Sequence, residues 1–303
     1  MSTPRTLLLP DGVHQVTVET ARGAFAALEA LPAAGVAERG PALLVPGYTG
    51  SKEDFLAILA PLAAAGRRVL AIDMRGQYQS PAAPGPDGYR VAALAADLAV
   101  IADWLPTGEQ PIHLLGHSFG GLVAQDFAVG HSHLIGSLTL MSSGPGALTG
   151  PRAAVLRAVL ASLDADAPGG LAAGIRRLWD TEMEPAAVAD GIPADIIDFL
   201  RTRMLSSCPT GLTTMATELL ACPDRTAEVA QLPAPGLVLY GEDDDAWAPA
   251  IQDDMAHRLG AHRVCIPGAA HSPAVEAPAT TASILTEFWN TAESGLGRRP
   301  AGR

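Results

Sequence analysis

Residues Pro111 to Gln125 read PIHLLGHSFGGLVAQ. A short apolar run, residues 112–115, leads into Gly116-His117-Ser118-Phe119-Gly120, and an apolar segment with helical spacing follows at once. A serine set between glycines at such a joint has a steric reason. A tight strand-to-helix turn strains the backbone of its central residue, and side chains two positions before and after would collide. Gly116 and Gly120 meet that demand, and Gly121 lets the helix pack closely on the sheet. The turn lifts the Ser118 hydroxyl clear of the sheet edge, above a helix N-terminus whose dipole favours negative charge. A Gly-x-Ser-x-Gly spacing arises by chance about 0.15 times in a chain of this composition, so the strand before it and the helix after it carry the assignment.

The surrounding pattern is consistent with that turn. Residues 13–19 alternate as a half-buried strand does, and 25–31 form its hairpin partner. Continuous apolar runs then appear at 42–45, 68–72, 112–115, 138–141, 237–240 and 263–266, the mark of strands buried on both faces. Helical patterns at 52–65, 89–104, 119–128, 250–259 and 279–291 lie between or after them. This alternation predicts an α/β fold, a mostly parallel central sheet flanked by helices. One interval breaks it. Residues 147–230 hold no strand and read as helices at about 151–163, 169–183, 193–206 and 210–221. The expected organisation is a core of residues 1–146 and 231–303 with a helical insertion at 147–230, and a frayed tail from Glu293.

A serine nucleophile needs a base, and the base needs an orienting carboxylate. His271 stands in IPGAAHSPAVEAP, in the loop after the last apolar run, where it can return over the sheet. The preceding run ends in LVLYGEDDDAWAP, which offers Asp243, Asp244 and Asp245, so the chain order is Ser, Asp, His. A tetrahedral oxyanion requires two backbone donors. Phe119 N–H, next to the nucleophile, supplies one. The loop VPGYTGS supplies the other at Tyr48, after Gly47, whose bare Cα lets the backbone approach the substrate. The remaining histidines fit structural or surface roles: His113 on a strand, His117 beside the nucleophile, and the His131/His133 pair without a carboxylate or cysteine cluster that would make it a metal site.

The bulk numbers narrow the partners. A net charge of −12 argues against nucleic acid or an anionic membrane, both of which call for a basic face. The longest apolar stretch, 91–105, is interrupted by Asp97 and Asp103, and MSTPRTLLLPDG lacks a signal-peptide core. Three cysteines, Cys208, Cys222 and Cys265, show no CxxC spacing and fit a reducing compartment. A cytoplasmic protein is expected.

The motifs GHSFGG, LLVPGYTGSKEDF, AIDMRGQYQS, LYGEDDDAWAP and GAAHSPAVEAP, in that order over residues 13–290, resemble the α/β-hydrolase superfamily in its serine-nucleophile branch with a helical cap. The resemblance implies Ser118 as nucleophile, His271 as base, Tyr48 and Phe119 as oxyanion donors, and 147–230 as a cap over the site. The family spacing Gly-x-x-Asp points to Asp244, while Pro249, four residues beyond Asp245, keeps Asp245 open. Two departures stand out. Pro46-Gly47 replaces the more usual His-Gly, and Gln77, Tyr78 and Gln79 replace small residues of the DMRGQYQS turn, which Asp73 and Arg75 are expected to brace.

The implied chemistry is hydrolysis of an ester-like bond through an acyl-enzyme, with no metal or organic cofactor required. The predicted cap carries Trp179, Met204 and Met215, the candidate substrate-binding residues that would line an apolar pocket, which points to a small, uncharged, fairly hydrophobic substrate. Lactone, thioester or carbon–carbon bond hydrolysis would use the same residues. A weakly catalytic binding protein and a lyase are the readings from other classes.

Overall fold

The computed structural model describes residues 1–105 and 110–296. A hairpin comes first, β1 (Val13–Thr20) paired antiparallel with β2 (Gly23–Ala30). Only Val13 and Val18 of β1 are buried, as befits an edge strand. Six further strands follow: β3 (Arg39–Val45), β4 (Arg67–Ile72), β5 (Ile112–His117), β6 (Ile135–Met141), β7 (Gly236–Gly241) and β8 (His262–Ile266). The sheet order is β1-β2-β4-β3-β5-β6-β7-β8. β2 joins β4 antiparallel, and every pairing from β4 to β8 is parallel. The mostly parallel sheet expected from the apolar runs is present.

Helices cover both faces. α1 (Leu56–Ala64) follows a 3-10 turn, Lys52–Phe55, so the single helix expected over 52–65 is two pieces. α2 (Val91–Ala102) and α3 (Phe119–Gly130) come next. The interval between β6 and β7 contains α4 (Gly150–Ser162), α5 (Gly170–Leu178), a π-helical turn (Trp179–Met183), α6 (Glu184–Ala189), α7 (Ala194–Ser206), α8 (Pro209–Ala221) and α9 (Thr226–Val229). α10 (Pro249–Leu259), α11 (Pro273–Glu276) and α12 (Pro278–Leu296) complete the chain's described helices.

Period-two alternation builds the core. Leu43, Val45, Leu70, Ile72 and Leu114 point to one face and pack with Leu94 and Leu98 of α2 and Val123 and Phe127 of α3. Their neighbours Ala42, Leu44, Val69, Ala71 and Leu115 point to the other, against Leu59 and Leu62 of α1 and Leu285 and Trp289 of α12. Because both faces are covered, the strands read as continuous apolar runs rather than alternating ones.

The expectation of a frayed tail from Glu293 is corrected for its first residues, while 297–303 lie outside the described residues. α12 runs on through Leu296 because Glu293 is a tethering group. It accepts hydrogen bonds from Arg67 Nη1 at 2.6 Å, Gly40 N at 3.0 Å and His113 Nε2 at 3.1 Å. Burial pushes its carboxyl up, but the His113 and Arg67 donors outweigh that and hold it down at about 2. His113 therefore has the structural role read from its place on a strand. Among the described residues no helix is long and apolar enough to cross a membrane.

Candidate active site

Parallel strands end at one edge, so the loops after β3, β4, β5, β6, β7 and β8 meet there. Among the described residues, four non-glycine residues adopt positive φ: Thr49 (59°), Tyr78 (39°), Ser118 (54°) and Ser142 (48°). They fall in the loops after β3, β4, β5 and β6, respectively. Such conformations cost about 1–3 kcal/mol each and persist where the surroundings over-determine them. Their concentration at one edge locates the site independently of any motif.

At Ser118 the over-determination is visible. Its N–H donates to Met141 O at 2.9 Å, and its carbonyl accepts from Gly121 N at 2.9 Å and Ser143 Oγ at 2.8 Å. A Cβ at Gly116 would strike the Gly120 backbone, and one at Gly120 would strike the carbonyls of Val45 and Pro46. The glycines flanking the serine are thus required by contact.

His271 bridges two partners. Its Nε2 lies 3.0 Å from Ser118 Oγ and its Nδ1 lies 2.9 Å from Asp244 Oδ1. The loop that carries it is clamped on both sides of the imidazole, because Glu276 accepts from Ala270 N and Ser272 N. His117 adds a third clamp, donating from Nε2 to the His271 carbonyl at 2.7 Å. Burial, then the nearby His271, pushes the His117 imidazole down to about 3, so it stays neutral and keeps this donor tautomer at ordinary pH.

Of the three aspartates, the structure brings Asp244 to the histidine. β7 and β8 are in register at Gly241 and Ile266, and Glu242 N and Asp243 N bond to Ile266 O and Ala269 O. That register turns Asp244 inward, where Ala246 N (3.0 Å) and Gln252 Nε2 (2.9 Å) also donate to it. Burial raises its carboxyl, but the His271 bond and charge, with those two donors, outweigh burial and hold it below the usual range. Asp245 faces outward, its side chain 60% exposed, in a bidentate pair with Arg152.

Two backbone amides flank the serine. Phe119 is the first residue of α3, where helical N–H groups lack intrahelical acceptors. The Gly47-Tyr48 peptide approaches from the other side: a Cβ on Gly47 would lie 3.0 Å from Ser118 Cβ and 3.2 Å from His117 Nδ1.

The three apolar candidates are all buried. Trp179 is fully buried, with its indole N–H donating to Glu184 at 2.9 Å. Trp179 and Met204 share a cluster that Tyr48, Tyr78 and Leu7 pack against, while Met215 belongs to the cluster on the α2/α3 face of the sheet.

Sequence reasoning missed the elements that tie the helical interval to this edge. Arg203 of α7 is fully buried and donates to Asp54 Oδ1 at 2.7 Å, to Ser51 Oγ at 3.4 Å and to Ser2 O at 2.7 Å. Ser2 Oγ in turn lies 2.8 Å from Ser272 Oγ, beside His271. One guanidinium thus joins α7, the loop after β3 and the N-terminal segment. The available signal was its place in α7, one turn after the buried Phe199, on an otherwise apolar face. Arg203→Met is expected to cost about 3–5 kcal/mol by stranding the buried Asp54 carboxylate. Urea midpoints would measure it, with most of the loss recovered when Asp54→Leu is added. Equal stability of Arg203→Met and wild type would show that this pair contributes nothing net.

Comparisons with known proteins agree with the fold. A family model described as the alpha/beta hydrolase family matches residues 42–284. Over 136 residues the chain is 38% identical to a Variovorax paradoxus protein named as a carbamate hydrolase, RutD, a match covering 44% of this chain and 49% of that protein. A pimeloyl-[acyl-carrier protein] methyl ester esterase of Aeromonas hydrophila is 28% identical over 235 residues, 76% of this chain and 88% of its own. A thermophilic esterase from Thermogutta terrifontis superposes with a TM-score of 0.68 at 26% identity, covering 92% of this chain and 99% of the other.

Proposed function

The chain belongs to the alpha/beta hydrolase family, and on that premise we propose that it is a serine hydrolase that cleaves a carboxylic ester-like bond through an acyl-enzyme. The observation that carries this reading is the imidazole of His271 held between Ser118 Oγ and the Asp244 carboxylate. Ser118 attacks the carbonyl carbon while His271 Nε2 takes its proton. Asp244 fixes the Nδ1–H tautomer and stabilises the imidazolium. The amides of Phe119 and Tyr48 receive the oxyanion. His271 then protonates the leaving alcohol, and later takes a proton from the water that releases the acid.

Residues 147–230 form the cap in this reading, supported by the Arg203 bonds to Asp54 and Ser51 and by Ser207 Oγ accepting from Tyr78 N. The cap cluster that reaches Tyr48 supports a small, uncharged, apolar group on the substrate. Trp179 and Met204 stiffen that wall from behind, and Met215 anchors the cap on the sheet's helical layer.

The test is intact mass after treatment with a fluorophosphonate, which phosphonylates an activated serine. Wild type is expected to gain one adduct and Ser118→Ala none. No adduct on folded wild type would sink the reading in favour of a binding protein. A panel of esters, lactones and thioesters then separates the hydrolytic alternatives.

A further inference from the structure

The Gln77 side chain reaches from the loop after β4 to the loop after β3. It is 1% exposed. Its Nε2 donates to Gly47 O at 2.9 Å, and its Oε1 accepts from Met74 N at 3.1 Å. The Met74 bond fixes which end of the amide is which, so Nε2 faces the carbonyl. Its backbone is held as well: Gln77 N donates to Met74 O at 2.9 Å, and Ser80 N donates to Gln77 O at 2.8 Å.

Gly47 O and Tyr48 N–H belong to one peptide group. No described peptide bond is cis, so the two point in opposite directions across a rigid plane. Whatever holds the carbonyl therefore aims the N–H. Two donors hold it: Gln77 Nε2, and Gly50 N at 3.1 Å from within the same loop. Among the described residues, only Gln77 reaches it from outside the loop. The residue before Gly47 is Pro46, which has no N–H of its own to tie the loop down. The loop also carries Thr49 in a positive-φ conformation, which needs outside support.

We infer that Gln77 is a positioning residue for catalysis: its amide locks the Gly47-Tyr48 peptide plane so that the Tyr48 N–H faces the oxyanion. The inference rests on the serine-hydrolase reading above and adds a residue to it. A donor on the carbonyl also polarises the amide and strengthens its N–H as a donor. The turn that bears Gln77 is built for rigidity. Asp73 accepts from Lys52 N (2.8 Å) and Lys52 Nζ (2.9 Å), and Lys52 Nζ also reaches Gln79 Oε1 (2.8 Å), so the two loops are laced together beside the Gln77 bond.

Two variants test this. Gln77→Glu keeps an acceptor for Met74 N and, once its carboxyl is ionised, offers Gly47 O no donor and places a charge beside it. Gln77→Met removes both without adding charge. Removing an oxyanion donor outright costs about a hundred- to a thousand-fold in kcat, and losing its aim is expected to cost about ten- to a hundred-fold. Both variants should show that loss on p-nitrophenyl butyrate, with KM within about threefold of wild type. A purely structural role would not change the next readout. Affinity for butane-1-boronic acid, which forms a tetrahedral adduct on the serine, should fall by the same factor as kcat. Binding of butyrate should not fall with it.

Retention of wild-type kcat and boronate affinity by both variants would overturn the inference. So would a loss confined to Gln77→Met that persists at alkaline pH, where the introduced carboxyl is ionised and cannot donate, which would assign the effect to the Met74 bond. Wild type that neither hydrolyses the ester nor takes the phosphonate adduct would remove the underlying reading instead, a result distinct from either.

Discussion

Ser118→Ala is expected to lower kcat on a chromogenic ester by about a hundred-thousand- to a million-fold, and His271→Ala by a similar factor. The double variant should lose little more than either single one. In the proposed mechanism Ser118 Oγ is a nucleophile only when His271 Nε2, 3.0 Å away, can take its proton, and the imidazole has no task without the hydroxyl. Groups that act as one unit are not additive. Folding should be unchanged, because alanine at φ 54° carries the same backbone strain as serine and the contacts that hold the turn are backbone ones plus Ser143 Oγ. Residual rates above background reflect the oxyanion amides and binding alone. A Ser118→Ala protein that keeps more than about one part in a hundred of wild-type kcat would place the nucleophile elsewhere, since no arrangement of amides substitutes for the missing bond.

The meeting of Ser118, His271 and the aspartate run at one edge could be read from the chain because a parallel sheet converts sequence order into position. Any residue that follows an apolar run at the carboxyl end of a strand arrives at one edge. Ser118, Asp244 and His271 each follow such a run. What could not be read depends on contacts between distant segments. Arg203 and Ser2 are 201 positions apart and meet through a carbonyl, which has no sequence signature. Gln77 was visible only as an unexpected residue in a turn that resembles one built of small residues. Its role needs the Gly47 peptide in view. Glu293 lay in a stretch whose composition suggested fraying, yet Arg67, Gly40 and His113 converge on it from three other elements. Local pattern reports which way a segment faces, but it carries no information about which remote donor a buried group will meet.

Asp244→Asn is expected to lower kcat by about ten-thousand-fold with KM little changed, while Asp245→Asn should stay within about threefold of wild type. Three consecutive aspartates have the same chemistry, so only the turn can separate them. The turn is set by Asp244 N bonding to Gly241 O at 3.1 Å, within the register that β8 imposes. Asp244 Oδ1 accepts from both His271 Nδ1 and Ala246 N, and Oδ2 accepts from Gln252 Nε2. An asparagine cannot satisfy all three. If its amide nitrogen faces the histidine, it meets Ala246 N–H as a second donor and forces the imidazole into the tautomer with Nε2 protonated, which cannot take the Ser118 proton. If it faces Gln252, two NH₂ groups oppose one another unless Gln252 turns over and gives up its bond to Trp247 O. Either outcome costs the preorganisation that a carboxylate supplies. Asp245 instead meets Arg152 in solvent, a kind of pair that contributes about 0–1 kcal/mol, and its loss leaves the histidine's acceptor untouched. Steady-state kinetics on the two variants decides between them: a large fall for Asp245→Asn with Asp244→Asn near wild type would mean that the catalytic loop pairs with the histidine in a different register from the one described.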